Sequence, residues 1–144
     1  IEDGTPVFYR ESIRRNTINS DFSLENVINL PYVPIIYSHA DGDSILIDAA
    51  VKAGAQGIIY AGTGNGSVHK TDEEALARAA AAGIIVVRSS RVTNGAVIQS
   101  EQSYVDEHFL NGGTLNPQKA RILLQLALTK THDLNKIQTM FNEY

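Results

Sequence analysis

Cysteine is missing from all 144 residues, which removes thiol nucleophiles, disulfides and thiolate metal sites together. The absence leaves the compartment open, since a cysteine-free domain folds in either redox environment. No apolar run reaches the length of a membrane span, and no stretch has the make-up of a signal peptide. The first residue is Ile1 and it enters strand-like sequence directly, as a processed product or a fragment would. Basic residues are scarce as well. Twelve Lys and Arg against sixteen Asp and Glu give a formal charge of −4, whereas a nucleic-acid surface shows a concentrated basic face. The one basic cluster, Arg10, Arg14 and Arg15, is interrupted by Glu11 and reads as a solvated patch or local ion pairs. His39, His69, His108 and His132 form no pair at ligand spacing, and Asp41-Gly42-Asp43 lacks the rest of a calcium loop. No metal and no cofactor are assigned.

What remains is 43% apolar, enough for one domain with its own core. The chain is organised around Gly57 to Ser67. There an apolar run ends in three glycines at alternate positions, followed by a helix signal. A buried parallel strand feeding a tight loop reads this way, and in open α/β sheets ligands gather at that end of the strands. Residues 1–30 read as an arm leaving an earlier domain. A turn at Asp3-Gly4-Thr5-Pro6 precedes a hairpin over Val7 to Ile13, and Leu24, Val27 and Leu30 mark a short amphipathic turn.

Residues 31–144 carry the regular pattern. Val33 to Tyr37 reads as a strand with Pro34 near its start. Asp43 or Ser44 caps a helix whose stripe is Leu46, Ala49, Ala50 and Ala53, stopped by Gly54. Gly57 to Ala61 and Ile84 to Val87 are the next strands. The helix between them opens on a capping box, with Thr71 as cap and Glu74 reaching back. From Arg88 to about Gly113 the chain reads as a long irregular loop. Asn116-Pro117 and Asp133 open two last helices, the first with Ala120, Leu123, Leu124, Ala127 and Leu128 on one side, the second with Leu134, Ile137 and Phe141. The expected fold is a three-layer α/β domain, flavodoxin- or Rossmann-like, with a small parallel sheet and about four helices.

The glycine loop has neither the spacing of a dinucleotide fingerprint nor the Gly-Lys-Ser/Thr ending of a phosphate loop. It is either a tight strand-to-helix turn or a place where backbone N–H groups approach a small polar ligand, with Ser67 as a neutral partner. Ser67 as a nucleophile lacks the Gly-x-Ser-x-Gly elbow and an adjacent base. Glu101, Asp106 and Glu107 in the long loop read as solvated acids.

Three blocks together resemble the bacterial type II L-asparaginases. They are Ala61-Gly62-Thr63-Gly64-Asn65-Gly66-Ser67, Val86-Val87-Arg88-Ser89-Ser90-Arg91-Val92, and Leu115-Asn116-Pro117-Gln118-Lys119-Ala120-Arg121-Ile122-Leu123-Leu124. The ending from Ile137 to Tyr144 is similar to that family's carboxyl terminus. The resemblance implies a two-domain amidohydrolase converting asparagine to aspartate and ammonia, with glutamine as a second substrate in some members. It implies a homotetramer, a periplasmic or exported location and no cofactor. This chain would be the carboxyl-terminal domain, and the nucleophilic threonine would lie outside it, leaving no catalytic group here and an inactive isolated chain. In the family this domain closes a neighbouring subunit's site with two residues, which carry over to Ser67 and to a glutamate after the third strand. Gln102 stands in register for the latter, but Glu101 is chosen because a carboxylate can pair with the substrate's α-ammonium. Serine at 67 resembles the glutaminase-asparaginases. The competing reading is a stand-alone flavodoxin-like module whose glycine loop binds a small polar ligand.

Overall fold

The computed structural model describes residues 4–10, 12–25 and 27–144. Its apolar runs form β1 (Ile35–Tyr37), β2 (Gly57–Gly62) and β3 (Ile85–Ser90), joined by α1 (Ile45–Lys52) and α2 (Lys70–Ala81). Next come α3 (Gln102–Asp106) and β4 (Leu110–Asn111), followed by α4 (Pro117–Leu128) and α5 (Leu134–Glu143). The four strands are all parallel and run in sequence order, β1-β2-β3-β4. All six residues of β2 are buried, as befits a strand covered on both sides.

Alternation along the strands sorts the core into two halves. Ile59, Ile85, Val87 and Leu110 pack with Leu123, Leu124, Ala127, Ile137 and Phe141 of α4 and α5. Ile36, Ile58, Tyr60 and Val86 pack instead with Ile47 of α1, Leu76 of α2 and Tyr104 of α3. The result is the expected three-layer α/β arrangement, with α1 to α3 on one face of the sheet and α4 and α5 on the other. Asn116 accepts from Lys119 N at 2.9 Å and Asp133 from Lys136 N at 3.0 Å, so both caps hold as read. All five residues of the α4 stripe are buried.

Other expectations are corrected. Asp3 of the first turn and Glu11 lie outside the described residues. The described part of residues 4–30 contains no strand; it has a 3-10 turn at Thr17–Asn19 and, as expected, a turn closed by Val27 N donating to Leu24 O at 3.2 Å. Phe8, Ile13, Leu24 and Ile28 are exposed, and an isolated hairpin is marginal without a surface to pack on. The arm is held where it meets α5: Arg15 pairs with Asp21 and Glu143, and Phe22 meets the Tyr144 ring at 5.1 Å. In α1 the buried residues are Ile47 and Ala50, while Leu46 is 55% exposed. Both faces carry apolar residues at helical spacing, so periodicity alone could not choose between them. Of the two candidate caps, Ser44 stands at the N-cap without a side-chain cap bond, and Asp43 before it accepts from Ile45 N at 3.0 Å.

The capping box is absent. The N-cap of α2 is His69, without a side-chain cap bond, and Thr71 sits inside the first turn. Asp72 turns inward to accept from the Tyr60 hydroxyl at 2.6 Å, and that hydroxyl also receives His69 N at 3.4 Å. A tertiary contact therefore fixes the helix start. Finally, β3 continues through Arg88 to Ser90, and the stretch read as irregular contains α3 and β4.

Candidate functional site

The glycine loop leaves β2 and folds straight back on itself, with Ser67 N and Gly66 N both donating to Thr63 O and Thr63 N donating to Ser67 O. Gly64 and Gly66 hold positive φ, and a Cβ at Gly62 would stand 2.3 Å from Ser67 O. The turn thus depends on glycine at 62 and 66. Several of its N–H groups are taken up by protein acceptors. Those of Thr63, Gly66 and Ser67 bond within the loop, that of Val68 goes to the Tyr104 hydroxyl, and that of His69 goes to Tyr60. The tight turn expected of this loop is present. What the loop presents outward is side chains, including the half-buried Ser67, whose Oγ lies 3.3 Å from Asn65 Oδ1.

Arg88 ties the loop to its surroundings. It falls on the same face of β3 as Val86, is fully buried, and so was invisible as a core residue to a reading that ended the strand before it. Its guanidinium donates to Gly66 O at 3.2 Å, to Ile98 O at 2.7 Å and to Asn111 Oδ1. It also lies 4.1 Å from the centroid of the Tyr104 ring, a cation–π arrangement. Burial lowers its pKa, opposed by Tyr104 and by the nearby Glu101 and Glu73 carboxylates. Ser90 Oγ adds a bond to Gly64 O at 2.6 Å, and Arg91 N one to Gly62 O.

Glu101 is exposed at the N-cap of α3. Its Oε1 accepts from the Tyr104 hydroxyl at 3.2 Å, and the same hydroxyl accepts from Val68 N at 3.1 Å. The Tyr104 hydroxyl thereby links Glu101 to Val68 N, the backbone that follows Ser67, while the Ser67 hydroxyl donates to Asn65 Oδ1. Gln102, the alternative to Glu101, donates from Nε2 to Asp106 Oδ1 at 2.9 Å. The flank is acidic. Burial, with Glu73 and Asp106, raises the Glu107 carboxyl above its ordinary range. Beside the glycine loop a cleft of about 410 Å³ is lined by Ser38, His39, Thr63, His69, Lys70 and Arg91 among others.

Sequence reasoning missed Arg88, Tyr104 and the Tyr60–Asp72 pair. The last had a signal. A tyrosine inside a run of aliphatic residues brings a hydroxyl that needs a buried partner. Among the described residues no group of three His, Asp or Glu side chains could hold a metal ion, and no helix is long and apolar enough to cross a membrane.

Comparison with known proteins bears on this geometry. The family model for the glutaminase/asparaginase C-terminal domain matches residues 32–141. The chain is 50% identical over 137 residues to an L-asparaginase 2 of Bacillus subtilis, covering 95% of this chain and 36% of that protein. It is 42% identical to a probable periplasmic L-asparaginase of Haemophilus influenzae, over 95% of this chain and 40% of the relative. To a glutaminase-asparaginase of Pseudomonas fluorescens it is 37% identical, over 100% and 40% respectively. The chain therefore spans about two fifths of the length of the curated relatives it matches.

Proposed function

We propose, for a chain that belongs to the family of glutaminase/asparaginase C-terminal domains, that it completes the substrate site of a type II L-asparaginase. The full-length protein would hydrolyse L-asparagine to L-aspartate and ammonia, with glutamine as a second substrate, in the periplasm or outside the cell. The attacking threonine would belong to an amino-terminal domain, reached through the arm at residues 1–30, and each site would be closed by a neighbouring subunit of a homotetramer. The observation that carries this reading is the Tyr104 hydroxyl holding Glu101 and the backbone next to Ser67 together.

In that site Glu101 pairs with the substrate's α-ammonium, in an acidic surround that also favours a cation. Ser67 hydrogen-bonds a polar group of the same substrate. Neither attacks the amide; both orient it, and orientation lowers the entropic part of the barrier. A hydrogen bond to a charged group contributes about 1.5–3 kcal/mol. Glu101→Ala in the full-length protein should accordingly raise KM for asparagine by roughly tenfold to a hundredfold. Unchanged KM removes Glu101 from the site. Glutamine turnover should be readily measured in the same protein, because Ser67 stands where asparagine-selective relatives are expected to carry asparagine. Glutamine turnover too slow to detect at saturation contradicts the dual specificity. A stand-alone binding module is the competing reading, and the intact mass of the natural gene product separates the two.

A further inference from the structure

We infer that Tyr104 is a positioning residue, one that sets Ser67 and Glu101 in register without touching substrate; this rests on the reading that those two side chains meet the substrate. Tyr104 is 1% exposed, and its ring is fixed from two sides. The Arg88 guanidinium lies 4.1 Å from its centroid, and Phe109 stacks at 6.0 Å with the planes 26° apart. Only the hydroxyl end reaches the site. A backbone N–H can only donate, so the hydroxyl accepts from Val68 N and its one proton goes to Glu101 Oε1. Burial holds the phenol above its usual range, which keeps that proton in place.

The consequence is mechanical. Glu101 is an exposed side chain with several free torsions, and a free carboxylate there would sample many rotamers. Tyr104 lies three residues on, so the first turn of α3 brings its hydroxyl back over the N-cap residue. On the other side it takes up the one N–H that immediately follows Ser67. A single oxygen thus fixes a recognition carboxylate and the exit of the glycine loop. Arg88 reinforces the same arrangement from below, through Gly66 O and the ring face.

The test uses the full-length protein with Tyr104→Phe, Glu101→Ala, Ser67→Ala and the Tyr104→Phe/Glu101→Ala pair, measuring kcat, KM for asparagine and thermal unfolding. Tyr104→Phe keeps the buried ring and loses the tether. KM is expected to rise roughly threefold to tenfold, the range of one hydrogen bond, with kcat nearly unchanged. Much of that rise should vanish in the Glu101→Ala background, because contacting residues are not additive. If Glu101→Ala weakens binding but Tyr104→Phe leaves KM unaltered, the positioning role is overturned and the site reading stands. The positioning role also falls if the two substitutions add fully, or if Tyr104→Phe alters kcat and unfolding while leaving KM alone. If neither Glu101→Ala nor Ser67→Ala moves KM, the site reading itself fails.

Discussion

The α4–α5 face of the sheet and the carboxyl end of its central strands hold together by different means. Behind the sheet, α4 and α5 press Leu123, Leu124, Ala127, Ile137 and Phe141 onto Ile59, Val87 and Leu110, a contact spread over many apolar atoms with no single indispensable one. At the carboxyl end of β2 and β3 the structure is held by directed bonds that converge on two side chains, Arg88 and Tyr104. Burying a guanidinium without a direct carboxylate partner brings little net stability, but it fixes the loop ends in one geometry. The apolar layer keeps the domain folded, and the polar end sets where Ser67 and Glu101 stand.

The sharpest way to break this division is to compare one substitution on each side. Leu124 is fully buried, and its Cδ2 is what a Cβ at Gly57 would meet at 2.7 Å. Leu124→Ala should cost about 2–5 kcal/mol in stability while leaving KM of the full-length protein close to the parent value. Arg88→Met leaves Gly66 O and Ile98 O without their donor but removes the buried charge. Its stability cost should be smaller, about 1–3 kcal/mol, with a clear rise in KM. Denaturant unfolding and steady-state kinetics of both variants check this, and a reversed order would dissolve the distinction.

A third test concerns Tyr60, which sits between the two modes, buried in the strand yet bonded to Asp72. Burial, and then Asp72, hold its phenol up at about 12 against an ordinary value of 10.0. Because the folded form binds this proton more tightly, its contribution is complete below pH 10 and is lost as pH rises toward 12. The loss should be on the order of 2 kcal/mol, so the stability curve of Tyr60→Phe should fall less steeply than the parent's over that window. Parallel curves would show that the phenol titrates as it does in the unfolded chain.

The apolar layer was legible in the sequence because its signals are local. Asn116 and Asp133 cap their own helices, and the α4 stripe recurs at i, i+3 and i+4. The polar end was not, because its signals are distant. Tyr60 and Asp72 lie twelve residues apart and override the capping box at Thr71 and Glu74. Five residues of α3 and two of β4 are too short for periodicity to register. Arg88 looked like the end of a strand because charge is rarely buried; it is instead the strand residue on which the loop is anchored. Leu46 failed for another reason, since α1 has two apolar faces and only packing against α2 and the sheet decides between them. Ser67 and Glu101 came from resemblance and from the chemistry of a carboxylate, and no periodicity would have joined them.

The most direct measurement is a structure of the full-length protein with L-aspartate bound. Ser67 Oγ and a Glu101 carboxylate oxygen should each lie within roughly 3.2 Å of polar atoms of the aspartate, with the attacking threonine supplied from outside residues 1–144. An aspartate bound out of reach of both side chains would contradict the account.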